Sequence, residues 1–506
     1  MRWWIPIGIL LLVYGFVAYL FVVQEVSRHF AWVTLTVLAL PILGLWYVFL
    51  TQLPWKRRWK LFGAWVLMVG LVTGVLISTT QWEGSLNGGA IPRLVWKWLP
   101  KLDERLDDLE GSGGEATLIT GGQDFPQFLG PNRDGILKGV TLDADWSAQP
   151  PKELWRREIG AGWSGFSVSR GRALTQEQRG KKELISCYDL ATGEPLWVHE
   201  NETRFEESMG GDGPRANPTI DGERVYALGG TGILDCLDFQ SGDLIWTRHV
   251  LEEHGAENLM YGKASSPLIV GELVVVTGGK SPGPTVLAYH REKGELVWSA
   301  GDDSASYASP VLASLAGQEQ IVCVNHNTVT GHESTTGKIQ WTWKWPAKMP
   351  KSALAQPAGL DRILVSASYG MGTALLEISR EGEDFTVEKV WKNREMKTKF
   401  SNVCIAGGYA YGLDEGRLAC VELATGKRQW RGKNYGYGQN ILVGDHLLVQ
   451  SERGYVALVE ADPHSFKEVG RQNALLHKTW NTPALAGDYL LVRNDREAVC
   501  FKLKIK

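Results

Sequence analysis

Five short segments recur along the C-terminal three quarters of the chain. They read Asp189-Leu-Ala-Thr-Gly-Glu-Pro-Leu-Trp197, Asp238-Phe-Gln-Ser-Gly-Asp-Leu-Ile-Trp246, His290-Arg-Glu-Lys-Gly-Glu-Leu-Val-Trp298, Glu333-Ser-Thr-Thr-Gly-Lys-Ile-Gln-Trp341 and Glu422-Leu-Ala-Thr-Gly-Lys-Arg-Gln-Trp430. A motif returning every roughly forty to fifty residues marks one supersecondary unit copied in an array. Each copy reads as a tight turn between two strands. The first, mostly acidic or polar, side chain bonds forward to the turn backbone, and Gly193, Gly242, Gly294, Gly337 or Gly426 takes the positive-φ position. The tryptophan on the second strand is a broad apolar plate for docking on a neighbouring unit, with one indole N–H to satisfy.

Two weaker copies and one orphan complete the series. Glu377 to Trp391 is a degenerate unit, and in Glu460 to Val469 a valine stands where the aromatic is expected. Trp155 opens the series without a turn of its own, and Thr482 to Lys504 offers three strand-like runs. The orphan strand around Trp155 supplies the strand missing at the other terminus, which removes exposed sheet edges. The expected fold is all-β: an eight-bladed β-propeller of four-stranded antiparallel blades over 123–506, closed by N- and C-terminal strands. Trp155, Trp197, Trp246, Trp298, Trp341, Trp391 and Trp430 are its expected blade-docking residues. Runs such as Ala216-Asn-Pro-Thr-Ile220, Ser265-Ser-Pro-Leu-Ile269, Ala308-Ser-Pro-Val-Leu312 and Asn481-Thr-Pro-Ala-Leu485 read as the innermost strands. Proline at their start needs no ladder donor.

The N-terminal region is different material. Apolar runs over about 3–23, 30–50 and 61–79 are each long enough for a membrane-spanning helix, and a signal peptide explains only the first. The basic loop with Lys56, Arg57, Arg58 and Lys60 places that side in the cytoplasm. Residues 1–80 are therefore expected to form a three-helix anchor in a bacterial cytoplasmic membrane, N-terminus inside. Residues 81–122 read as a linker with a flexible joint at Gly111-Ser-Gly-Gly, and the propeller faces the periplasm or the exterior.

A net charge of −3 over 506 residues offers no basic field for nucleic acid. The six cysteines stand singly, and Cys187, Cys236, Cys420 and Cys500 occupy the same position of different blades, out of disulfide reach. They read as small core residues. Gly160-Ala-Gly-Trp-Ser-Gly165 matches a dinucleotide fingerprint but leads into a strand rather than a helix. Gly278-Gly-Lys-Ser281 is followed by Pro282, which stops the helix a phosphate loop needs. His326 and His332 have no third ligand near them in sequence.

The turn-and-tryptophan unit resembles the docking motif of the pyrroloquinoline quinone (PQQ) repeat superfamily, over about residues 124–504. Phe125-Pro-Gln-Phe-Leu-Gly-Pro-Asn-Arg-Asp-Gly135 and Gly213-Pro-Arg-Ala-Asn-Pro218 are similar to the opening of bacterial PQQ-like propeller proteins. The resemblance implies either a non-enzymatic scaffold, like the outer-membrane barrel-assembly lipoprotein, or a quinoprotein dehydrogenase. Family enzymes hold the quinone between a tryptophan and an adjacent-cysteine disulfide, with calcium and an aspartate base. This chain has no adjacent cysteine pair, no Cys-x-x-Cys-His, and no long blade insertions.

A ligand at the channel mouth would meet the loops leading into the inner strands. These carry Arg215, Asn217, Lys263, Tyr307, Lys399, Asn402, Gln439, Asn440, Lys478, Trp480 and Asn481, with Asp212 and Asp303 as acids. Converging cations would neutralise an anionic ligand and Trp480 would stack on it; the alternative is that these residues cap loops and inner-strand backbone. No catalytic or metal-ligating residue is assigned. The expectation is a membrane-anchored periplasmic scaffold that binds a protein or peptide. The alternative is a membrane-bound PQQ- and calcium-dependent oxidoreductase for an alcohol or sugar, and a third reading is a sensor of a small anion or sugar.

Overall fold

The computed structural model describes residues 54–85, 92–119, 121–347 and 349–506. It divides into two compact units, one of residues 1–101 with 207–211 and one of 102–206 with 212–506. In the first, a helix of 25 residues, α1 (Trp55–Thr79), begins directly after Pro54. A two-stranded antiparallel hairpin, Thr80–Ser85 with Pro92–Trp96, follows. The basic cluster Lys56 to Lys60 therefore lies in the opening turns of α1, six residues earlier than the expected start, and not in a loop. Beyond Lys60 α1 is apolar (mean hydropathy 2.2 over its most apolar window), and no residue of it is buried. It is the one helix among the described residues long and apolar enough to cross a membrane. The other two expected spans, 3–23 and 30–50, lie outside the described residues, so a three-helix anchor is not shown.

The second unit is the expected eight-bladed propeller. Blades I to VI run consecutively, their innermost strands being Ser167–Ser169, Thr219–Asp221, Leu268–Val270, Val311–Leu315, Gln356–Pro357 and Cys404–Ala406. Blade VII begins at Gln439–Val443 and adds a fifth strand, Ile136–Leu137, parallel to it. Blade VIII takes three strands from the C-terminus, Ala484–Ala486, Tyr489–Arg493 and Glu497–Lys502, and its outer strand, Lys152–Glu158, from the N-terminal side. Trp155 pairs with Cys500 there, as Trp197 does with Cys187, Trp246 with Cys236 and Trp430 with Cys420. All six cysteines are single and buried.

The motif works between blades. The Asp189 carboxylate accepts the Ala191 and Thr192 N–H groups at 2.9 and 2.8 Å, so the turn folds locally. Gly193 has φ 75°, and a Cβ there would lie 2.6 Å from the Trp155 ring. Each turn thus seats the tryptophan of the preceding blade on a bare Cα. The indole N–H groups of Trp155, Trp197, Trp246, Trp391 and Trp430 donate to Leu190, Phe239, Arg291, Leu423 and Asp462 carbonyls at 2.7–3.1 Å. Blade V joins its two outer strands, each ten residues long, by a two-residue turn instead. Trp341, left without a seat there, bonds Gln320 of its own blade at 2.6 Å.

Every blade carries a β-bulge at one register position, directly before the tryptophan or its equivalent. The bulge corrects one expectation. In blade VII the equivalent is Gly470, paired with Leu458, and Val469 is the bulged residue. The missing indole comes from Trp146, which is buried against Gly470.

One end of the channel is closed by the segment 123–137, which bonds all eight blades. The Gln123 carbonyl accepts from Gly487 of blade VIII, Phe125 bridges Val168 of blade I, and the Pro126 carbonyl accepts from Ile220 of blade II. The Arg133 guanidinium donates to Ser266 and Pro267 carbonyls of blade III (3.0 and 2.6 Å) and to Pro310 of blade IV (3.3 Å). Its carbonyl accepts from Gln356 of blade V, and Gly135 accepts from Cys404 of blade VI and Leu442 of blade VII. Burial with no carboxylate beside it lowers the Arg133 pKa to about 9.

Candidate functional site

The loops that lead into the inner strands meet at the opposite end of the channel, and their side chains form two layers. The deeper layer is structural stitching. The Gly165 N–H donates to the Asn217 amide oxygen (2.7 Å), the Asn217 N–H to the Ser266 hydroxyl (2.9 Å), and the Ser266 N–H to the Ser309 hydroxyl (2.8 Å). Further round, the Leu354 N–H donates to Asn402 (2.8 Å), Gln439 donates to Phe400 and Trp480 carbonyls, and Asn481 donates to Ser164 (2.8 Å). Seven of the eight junctions between neighbouring blades are thus bridged by an Asn, Gln or Ser side chain, which is why these residues open the inner strands. Asn217, Asn402, Gln439, Asn440 and Asn481 are all at most 4% exposed.

Lys263 also belongs to this layer. It is fully buried, donates to the Thr277 carbonyl and hydroxyl (2.7 and 3.0 Å) and to the Gly278 carbonyl, and burial lowers its pKa to about 7. Lys351 is held the same way by Asn325 and Trp345 carbonyls, with its pKa also lowered to about 7 by burial.

The upper layer is an aromatic and cationic mouth. Trp480 packs, tilted, at 4.8 Å against Trp163 and at 4.9 Å against Phe400, and Phe400 meets Tyr437 at 6.0 Å. Tyr261 and Tyr307 pack together at 5.7 Å. The Lys478 ammonium lies 4.0 Å from the Trp480 ring centre and 4.9 Å from Trp163. Lys399 lies 4.0 Å from Tyr437, 5.0 Å from Phe400 and 5.4 Å from Tyr369. Such contacts contribute about 0.5–2 kcal/mol each. Burial lowers the Lys399 pKa, with Glu415 and Glu452 opposing. Glu452 accepts the Trp480 indole N–H at 2.8 Å, and Glu415 accepts from Ser368 and Tyr437. Arg215 stacks on Phe205 at 4.7 Å.

Of the residues singled out in the sequence, Arg215, Tyr307, Lys399, Lys478 and Trp480 belong to this mouth. Asp303 instead accepts from Asn327 and Thr328, and Asp212 pairs with Arg204 at 3.2 Å. His332 is buried between the Thr330 hydroxyl and the Gly337 carbonyl. Sequence reasoning missed Trp163, Tyr261, Tyr369, Phe400 and Tyr437. A signal existed: Trp163, Arg215, Tyr307, Phe400 and Trp480 each stand four residues before the first residue of an innermost strand.

The residues do not fit a quinone–calcium pair. Among the described residues no three His, Cys, Asp or Glu side chains gather to hold a metal ion. The two carboxylates at the mouth are already engaged by hydroxyls and the indole, and no cysteine lies beside another.

The profile of the family described as outer membrane protein assembly factor BamB matches residues 146–305 and 181–432, overlapping as repeated blades would. The chain belongs to this PQQ-repeat propeller family. Outer membrane protein assembly factor BamB of Moranella endobia is 23% identical over 338 residues, covering 62% of this chain and 84% of its own. The protein of the same name from Bordetella pertussis is 23% identical over 288 residues, covering 54% of this chain and 66% of its own. Quinohemoprotein alcohol dehydrogenase from Comamonas testosteroni superposes with a TM-score of 0.54 at 10% identity, over 79% of this chain and 83% of that one. At that identity the likeness shows the fold alone.

Proposed function

We propose that this protein is a membrane-anchored propeller that binds other polypeptides as a scaffold on the extracytoplasmic side. The observation that carries this reading is the mouth, where seven blades contribute aromatic rings or lysines, from buried Trp480 and Lys399 to exposed Tyr369, to one surface, with no metal-binding donor set among the described residues. Aromatic anchors beside cations are what polypeptide-binding surfaces concentrate. The relatives named as assembly factors point the same way. α1 supplies an anchor, and its basic first turns favour a cytoplasmic start, which leaves the propeller outside.

The test is a photo-crosslinking residue at Lys478 in intact cells, with Leu360, 92% exposed on a turn at the opposite end of an inner strand, as control. Discrete protein adducts from the mouth and none from the control are expected. Absence of adducts, or equal adducts from both, overturns the reading.

A further inference from the structure

The outer edges of the blades are treated in different ways. At the bulge of blade I the chain covers itself: the Ser112 N–H donates to the Pro195 carbonyl and the Gly113 N–H to the Leu196 carbonyl, both at 2.9 Å. Gly111 lies against the same strand so closely that a Cβ would come within 2.6 Å of it, and Leu196 is only 4% exposed. In blades V to VIII the residue at the Pro195 position is charged: Lys389, Arg428, Glu468 and Glu153. Charge on an edge strand deters pairing with another chain.

Blade IV carries Ile339, 38% exposed, at the Pro195 position but the polar Gln340 at the bulge; blades II and III have no protection and are apolar at both places. Leu244 and Ile245 are 47% and 39% exposed, and Leu296 and Val297 are 45% and 49% exposed, at the positions of Pro195 and Leu196. The bulge is the same, the side chains are apolar, and the two edges are consecutive round the ring. We infer that the outer edges of blades II and III are docking sites for an extended, uncharged segment of a partner protein, which adds to the edge as Ser112 and Gly113 add to blade I. The partner segment supplies successive N–H donors to the bulge carbonyls and apolar side chains to Ile245 and Val297. Main-chain bonds give such additions their affinity and side-chain pockets their specificity. This inference rests on the scaffold reading and assigns it a second surface, away from the mouth.

The test uses the full chain in detergent and a fluorescent peptide of alternating serine and valine with glycine ends, followed by anisotropy. Its twin carries N-methyl groups on successive residues and cannot donate. Saturable binding is expected for the first peptide and none for the second. The double variant Ile245→Lys, Val297→Lys weakens binding at least about tenfold, whereas Gln429→Lys on blade VI leaves it unchanged. All three positions are exposed, and melting curves matching wild type establish that the variants fold. Equal binding of the methylated twin, no effect of the double variant, or no saturable binding overturns the inference. So does self-association of the wild type abolished by the lysines, which would make a second copy the occupant. Mouth adducts at Lys478 together with no peptide binding would remove the edge site alone; their joint failure removes the scaffold reading too.

Discussion

Gly242 meets two requirements at once. Its φ is 77°, and a Cβ would stand 2.5 Å from the Trp197 ring. Gly242→Ala therefore incurs both left-handed strain and overpacking, about 2–4 kcal/mol together, read as a lowered urea midpoint. Both requirements belong to this residue and its neighbour in the preceding blade, which is why the turn was legible in sequence. Glu183 presents the opposite case. Its carboxyl is buried against the Gly230 N–H, and burial raises its pKa to about 7 despite Arg215. A raised carboxyl pKa means that the unfolded chain loses its proton first. Its favourable effect is complete below the ordinary pKa and is lost as pH rises to about 7. Glu183→Gln should accordingly raise the melting temperature at pH 8 by about 2 °C or more and leave it little changed at pH 4. Equal shifts at both values would contradict the assignment.

At the scale of elements, the strands followed from local pattern, while the segment 123–137 did not. Gln123 to Gly135 is irregular backbone whose role arises only from bonding eight blades distant in sequence. The same holds for the Asn and Ser side chains of the inner strands. Their residue types were visible, but whether they faced a ligand or a neighbouring blade depended on a ring geometry that no single repeat contains. The aromatic mouth lay between these cases, with its shared spacing legible from Trp163, Tyr307, Phe400 and Trp480. Arg133 is the sharpest test of the closing segment. Arg133→Met leaves the buried Ser266 and Pro310 carbonyls without a donor, while Pro267 keeps the Thr219 hydroxyl, and should cost about 2 kcal/mol or more. Limited proteolysis of this variant should cut first within 123–137, whereas cutting elsewhere first would show that the segment does not hold the ring.

For the whole molecule, closure by strands from both ends makes the ring one cooperative unit. A chain beginning after Glu158 lacks the outer strand of blade VIII and Trp155, and should show no cooperative melt. One beginning at Leu102 keeps the whole propeller unit and should melt as the full chain does. That shorter chain should also be recovered soluble, while the full chain stays with membranes after carbonate washing. Recovery of the full chain in the soluble fraction would contradict anchorage through α1.

On the proposed reading the channel mouth recognises polypeptide and is not a quinone site. The most direct measurement is calorimetric titration of the full chain in detergent with PQQ, with and without calcium. No saturable heat is expected under either condition. Saturable, calcium-dependent binding that is lost on Trp480→Ala would contradict it and make the protein a quinoprotein.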